Sequence, residues 1–138
     1  GMTTRDIQAG AGRAATLLAG DAAALLLFAV LGRGSHGEAT GLAAVGETLR
    51  TAAPFVAGWL AVAPWSGAIR PQATTGLGPM LRTTALTWAP ALLVGALLRA
   101  ALIGRFSPPS FYVVTFLVGL LLLCLWRAAF ALAEGRRG

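Results

Sequence analysis

Asp21 is the only charged residue in an apolar run from Ala14 to Leu31. An acid placed inside a membrane costs on the order of 2.5 to 3.5 kcal/mol on insertion scales, so it is kept where it is paired or where it works. Counted at about 1.5 Å per residue, Asp21 lies roughly 10 to 13 Å along its run, and Arg127 lies at a similar depth on a later run of opposite direction. Two readings are open. One is a buried Asp21–Arg127 ion pair, since buried charges are normally paired; the other is a proton or cation site at Asp21.

A second polar constellation is Gly32-Arg33-Gly34-Ser35-His36-Gly37-Glu38, followed by Glu47 and Arg50. Its glycines let the backbone turn sharply, and Arg33, Ser35, His36, Glu38 and Arg50 offer donors and acceptors at one membrane face. Such a group suits an anion or a polar headgroup, and it equally suits an interfacial hairpin that anchors the first helix. His36 is the only histidine and Cys124 the only cysteine. A multi-histidine metal site, a bis-histidine haem, a cysteine zinc site and a disulfide framework are therefore excluded within one chain. Neither metal nor cofactor is expected. There is no phosphate loop, no pair of carboxylates in one span, and no nucleophile with a base at its own depth, so no catalytic residue is assigned and enzyme activity is not expected.

Trp59, Trp65, Trp88 and Trp126 lie in or near the apolar runs. Trp65 fits the interfacial belt where indoles collect, whereas Trp59, Trp88 and Trp126 lie deeper, at positions that line a helix interface or a cavity. Pro90 removes a backbone donor and frees the carbonyl of Leu86, which Thr83, Thr84 and Thr87 are near enough to satisfy. Ala15, Ala19 and Ala23, with Gly20 and Ala24 beside them, make a stripe of small residues on the first helix that permits close approach of another helix, inside the bundle or from a second chain.

These residues are carried by a chain of 138 residues that is 57% hydrophobic and 12% charged, about half the charged fraction usual in soluble domains. A soluble globule is excluded. The net charge of +6 comes from eleven scattered arginines against five acids, without the clustered basic face that nucleic acid requires. Four apolar stretches of bilayer length follow one another, at about 14–31, 51–69, 81–103 and 111–132. The expected architecture is all-α, a single domain of four transmembrane helices over 14–132, with tails at 1–13 and 133–138. Gly1, which precedes Met2, reads as an appended residue and is set aside. Leu42, Val45 and Leu49 recur at helical spacing ahead of the second span and suggest an interfacial turn of helix.

With the N-terminus on side one, that side collects Arg5, Arg13, Arg70, Arg82, Arg127, Arg136 and Arg137, and side two collects Arg33, Arg50, Arg99 and Arg105. The excess predicts that both termini are cytoplasmic.

The elements Asp21, Phe28, Gly32-Arg33-x-Ser35-His36, Thr51-Ala52-x-Pro54-Phe55-x-x-Gly58-Trp59 and Trp126-Arg127 together resemble a family of small prokaryotic four-helix membrane proteins catalogued as domain of unknown function 3054. The resemblance covers nearly the whole chain after Ala14. It implies four membrane helices in a prokaryotic plasma membrane, such as a bacterial inner membrane, and no assigned activity. Three functions are compatible with the residues. The first is permeation of a small polar solute or proton-linked transport by a homo-oligomer. The second is a structural or accessory subunit in a larger membrane complex, and the third is a lipid- or hydrophobic-cofactor-binding module. A polar cavity reaching Asp21 favours the first, a sealed Asp21–Arg127 pair the second, and an apolar lateral groove the third. Membrane lipids and a second copy or another membrane protein are the expected partners; the substrate, if there is one, is not named by the sequence.

Overall fold

The computed structural model describes residues 3–34 and 41–137. Four helices hold nearly all of them: α1 (Thr4–Gly34), α2 (Gly41–Ser66), α3 (Leu77–Ile103) and α4 (Pro109–Arg137). One 3₁₀ turn, Pro71–Thr74, lies in the α2–α3 connection. The helices overrun the apolar runs that seed them, because a helix ends where the backbone changes and not where hydropathy falls. α1 begins at Thr4, so most of the expected N-terminal tail is helical. The expected interfacial turn before the second span is continuous with it in α2. That span stops at Ser66 and not at Ile69, since Gly67 takes φ +89°, a left-handed conformation that glycine reaches without penalty. α3 closes in the same way, with Gly104 at φ +77° and its N–H bonded to the Ala100 carbonyl at 2.8 Å.

Among the described residues three stretches, Gly10–Leu31, Leu77–Ile103 and Pro109–Glu134, are long and apolar enough to cross a membrane. α2 is borderline, because its apolar half mixes Ala, Gly, Pro and Trp where the others have leucine. The outer surface is consistent with lipid as solvent. Leu31, Leu60, Leu93, Leu102, Leu117 and Leu125, from all four helices, are exposed, a distribution that water would not tolerate over so small a domain. The chain is an integral membrane protein with an all-α bundle.

Successive helices are neighbours and α4 returns to α1, while the backbones of the diagonal pairs stay apart among the described residues and α2 reaches α4 only through large side chains such as Phe55 against Phe111. The fit between α2 and α3 depends on two glycines. A Cβ on Gly58 would overlap the Ala91 carbonyl, and one on Gly95 would lie 2.6 Å from the Phe55 ring. Small residues at such crossings let backbones meet, which is how helices associate where burial from water offers no drive. On the other side, Gly20 of α1 makes room for the Trp126 indole and Gly119 of α4 for that of Trp88. Around these contacts the core gathers Leu25, Phe55, Trp59, Trp88 and Leu123, all at most 1% exposed. Ala15, Ala19 and Ala23 do not take part: they face outward on α1, while Gly20 and Ala24 supply the inward contacts.

Candidate functional site

Asp21 on α1 and Arg127 on α4 meet inside the bundle, each fully buried. The guanidinium grips the carboxylate with two parallel bonds, Nε to Oδ1 at 2.9 Å and Nη2 to Oδ2 at 2.6 Å, the fork geometry that makes arginine the strong partner of a carboxylate. Trp59 of α2 completes the acid's shell by donating its indole N–H to Oδ2 at 2.9 Å. The same indole lies under the cation, with Cζ of Arg127 5.2 Å from the ring centroid, a distance at which the ring quadrupole attracts a cation.

The third arm of Arg127 explains why the pair sits where it does. Nη1 donates to the carbonyl of Ala68 at 2.7 Å. Ala68 follows the left-handed Gly67, so its carbonyl has left the helix ladder and needs a donor. The residue is itself fully buried, so water does not supply one. The turn between α2 and α3 thus folds inward onto the ion pair. Arg127 ties α4 to α1 through Asp21 and to the α2–α3 turn through Ala68, while Trp59 ties α2 to the same carboxylate.

A second, partly exposed latch lies about 12 Å further along α1, eight residues at about 1.5 Å each. Arg13 donates from Nε to Glu134 Oε2 at 2.5 Å and from Nη1 to the Ile69 carbonyl at 3.0 Å. Thr74 Oγ1 accepts from Arg13 Nη2 at 2.5 Å and donates to Glu134 Oε1 at 2.7 Å. The two rungs are charge-reversed: α1 carries Arg13 then Asp21, and antiparallel α4 faces them with Glu134 then Arg127. Sequence reasoning assigned Arg13 and Glu134 to the tails and missed this rung. The detectable signal was the matched spacing, eight residues on α1 and seven on α4, between oppositely charged residues.

The other candidate residues separate. Trp126 donates to the Leu17 carbonyl at 3.2 Å and is half-buried against Gly20. Trp88 donates to the Phe116 carbonyl at 3.0 Å and lies 6.4 Å from Trp59, ring to ring. Pro90 does not join them as a lining residue; it is exposed on the outer face of α3, because it is two residues beyond Trp88 and a helix turns about 200° over two residues. Thr84 and Thr87, expected to satisfy the carbonyl that Pro90 frees, bond elsewhere: Thr84 to the Met80 carbonyl at 2.7 Å, and Thr87 with Ser66 at 2.6 Å. Leu86 is itself exposed, whereas both of these threonines are buried. Of the polar group after the first span, Ser35, His36 and Glu38 lie outside the described residues. Arg33 is within α1, and Arg50 is exposed on α2.

Chemically, the centre is closed. Both carboxylate oxygens are occupied, three guanidinium N–H groups are used, and Asp21, Arg127 and Trp59 are at most 1% exposed. Among the described residues no three of His, Cys, Asp and Glu converge as a metal site would require. Comparison with known proteins gives one family: the model described as "Protein of unknown function (DUF3054)" matches residues 18–130. No curated protein and no solved structure matches the chain.

Proposed function

The chain belongs to the DUF3054 family of proteins of unknown function, and from that premise we propose that it is a non-catalytic structural subunit of a membrane assembly which self-associates through α1. The observation that carries this reading is the sealed state of the Asp21–Arg127 pair, with no exposure of either side chain. An acid that moves protons or ions must meet water at some stage; here Trp59, Arg127 and the α2–α3 turn occupy that space. The pair instead serves specificity. With charges reversed between the two rungs, sliding or inverting α4 against α1 sets Arg13 beside Arg127 or Asp21 beside Glu134, and like charges reject that arrangement. The outward stripe Ala15–Ala19–Ala23 supplies a surface on which a helix of a second copy packs closely. The arginine distribution orients the subunit with both termini in the cytoplasm of a prokaryotic cell.

Reconstitution tests it. Purified protein in liposomes leaves proton and small-ion flux at the rate of lipid alone. In a Cys124→Ala background, Ala19→Cys crosslinks between copies in native membranes, while Ala53→Cys on the exposed face of α2 does not. A flux that Asp21→Asn abolishes without unfolding the protein overturns the structural reading in favour of transport. Equal crosslinking at both positions, or none at either, overturns self-association through α1.

A further inference from the structure

Between the end of α2 and the first turns of α3 lies an open cleft of about 560 Å³, within the range of small-ligand sites. Ser66, Gly67, Arg70, Gly78, Arg82 and Thr83 line it. Arg70 and Arg82 are both exposed and neither has an ion-pair partner among the described residues. This sets them apart from Arg13, Arg99 and Arg127, each of which is engaged by an acid, a hydroxyl or an aromatic ring. Two unneutralised guanidinium groups on one cleft repel each other and attract an anion that both can reach. The start of α3 adds to that field: Gly76 offers no side-chain cap and the first turn holds no acid, so its free N–H groups and positive dipole end remain uncompensated.

The cleft is bordered by apolar groups that have no use for a soluble ion. Trp65, Leu77 and Leu81 are 87%, 65% and 49% exposed, and each is next in sequence to a residue of the lining. A basic cleft with an apolar margin, at the membrane end of a bundle, matches a molecule that is anionic at one end and greasy at the other. We propose that this cleft binds the phosphate of an anionic phospholipid, with Arg70 and Arg82 on the headgroup and the Trp65, Leu77 and Leu81 margin against its acyl chains. Arginine suits this task because its planar fork meets phosphate oxygens two at a time. The site lies on the side that the arginine count assigns to the cytoplasm, the leaflet face where basic groups read anionic lipid. It does not depend on the structural-subunit reading.

The test is lipid retention by the detergent-purified protein, measured by native mass spectrometry with phosphatidylglycerol, phosphatidylcholine and glycerol phosphate as probes. Wild type retains phosphatidylglycerol in preference to phosphatidylcholine. A basic residue near a membrane surface contributes roughly fivefold to anionic-lipid affinity, so the R70Q/R82Q double variant loses about thirtyfold. R50Q, an exposed arginine on the other side of the bundle, retains the wild-type preference. Circular dichroism checks the fold of each variant; should the double variant not fold, R70Q and R82Q are read singly, each with a loss of about fivefold. Equal retention of the two lipids, or an unchanged preference in the arginine variants, overturns the site. Displacement of phosphatidylglycerol by equimolar glycerol phosphate overturns the lipid as its occupant and makes the ligand a soluble phosphate ester.

Discussion

The buried Asp21–Arg127 ion pair makes a quantitative prediction that a double-mutant cycle can decide. Arg127→Met removes the guanidinium while keeping most of the side chain's length. It leaves the Asp21 carboxylate without its cation, held by the Trp59 N–H, and the buried Ala68 carbonyl without the bond it accepts at 2.7 Å. Removing one member of a buried pair costs about 3 to 5 kcal/mol. Asp21→Leu does the converse, leaving a buried cation over Trp59 with Ala68 alone to hold it, and a loss of the same order is expected. The double variant Asp21→Leu/Arg127→Met leaves no unpaired charge. What remains is the Trp59 N–H and the Ala68 carbonyl, each buried and unsatisfied, at about 1 to 3 kcal/mol apiece. The double variant is therefore no less stable than the worse single one, and the two single losses together exceed the double loss by at least the smaller of them, a coupling of about 3 kcal/mol or more. Unfolding in mixed micelles titrated with a denaturing detergent, followed by far-ultraviolet circular dichroism, reads all four proteins. Additive losses, within about 0.5 kcal/mol, would refute the claim that Asp21 and Arg127 act as one unit.

Three further outcomes follow from the packing. Trp59→Phe keeps the ring over Arg127 but removes the N–H that Asp21 accepts at 2.9 Å; a loss of about 1.5 to 3 kcal/mol is expected for a bond to a charged group, read in the same titration. Gly58→Ala and Gly46→Ala separate packing from propensity. The first presses a methyl into the Ala91 carbonyl and costs about 1 to 3 kcal/mol, whereas the second meets nothing within 4 Å and gains up to about 1 kcal/mol of helix propensity. Glu134→Gln loosens the outer rung, whose Glu134 side chain is 37% exposed, by under about 1 kcal/mol, and salt reduces even that; a loss comparable with that of Arg127→Met would contradict the ranking of the two rungs.

Arginine has two roles in this fold. Arg13 and Arg127 face inward and are consumed by structure, each holding an acid on the opposite helix and a carbonyl of the α2–α3 turn. Arg70 and Arg82, on the far side of that turn, face outward and have no ion-pair partner among the described residues. One connection of ten residues, 67–76, divides the two sets. Its left-handed Gly67 directs the Ala68 and Ile69 carbonyls inward and leaves Arg70 at the surface.

Hydropathy and length by themselves determined that this is a membrane protein of four helices. Runs of apolar residues long enough for a bilayer are a property of local composition, and satisfying the backbone in lipid leaves a helix as the only open-ended solution. The singularity of Asp21, and the depth it shares with Arg127, were equally legible, because a charge in such a run is costly wherever the chain goes. Helix ends were not legible from hydropathy: Thr4 and Ser66 are set by backbone conformation, and Gly67 becomes left-handed only in the company of the turn it opens. Nor could the sequence give Asp21 its second partner, Trp59. Trp59 reaches it from a different helix, α2, and Ala68 enters the site through a carbonyl, a group that every residue carries and that no sequence motif marks. Whether Asp21 is sealed or open to water was also undecided by spacing, since the same pair at the same depth fits both; the inward fold of the α2–α3 turn decided it. The outward orientation of Ala15, Ala19 and Ala23 was settled in the same way: a stripe of small residues permits close approach on any side, and Gly20, by receiving Trp126, fixed which side of α1 faces the core.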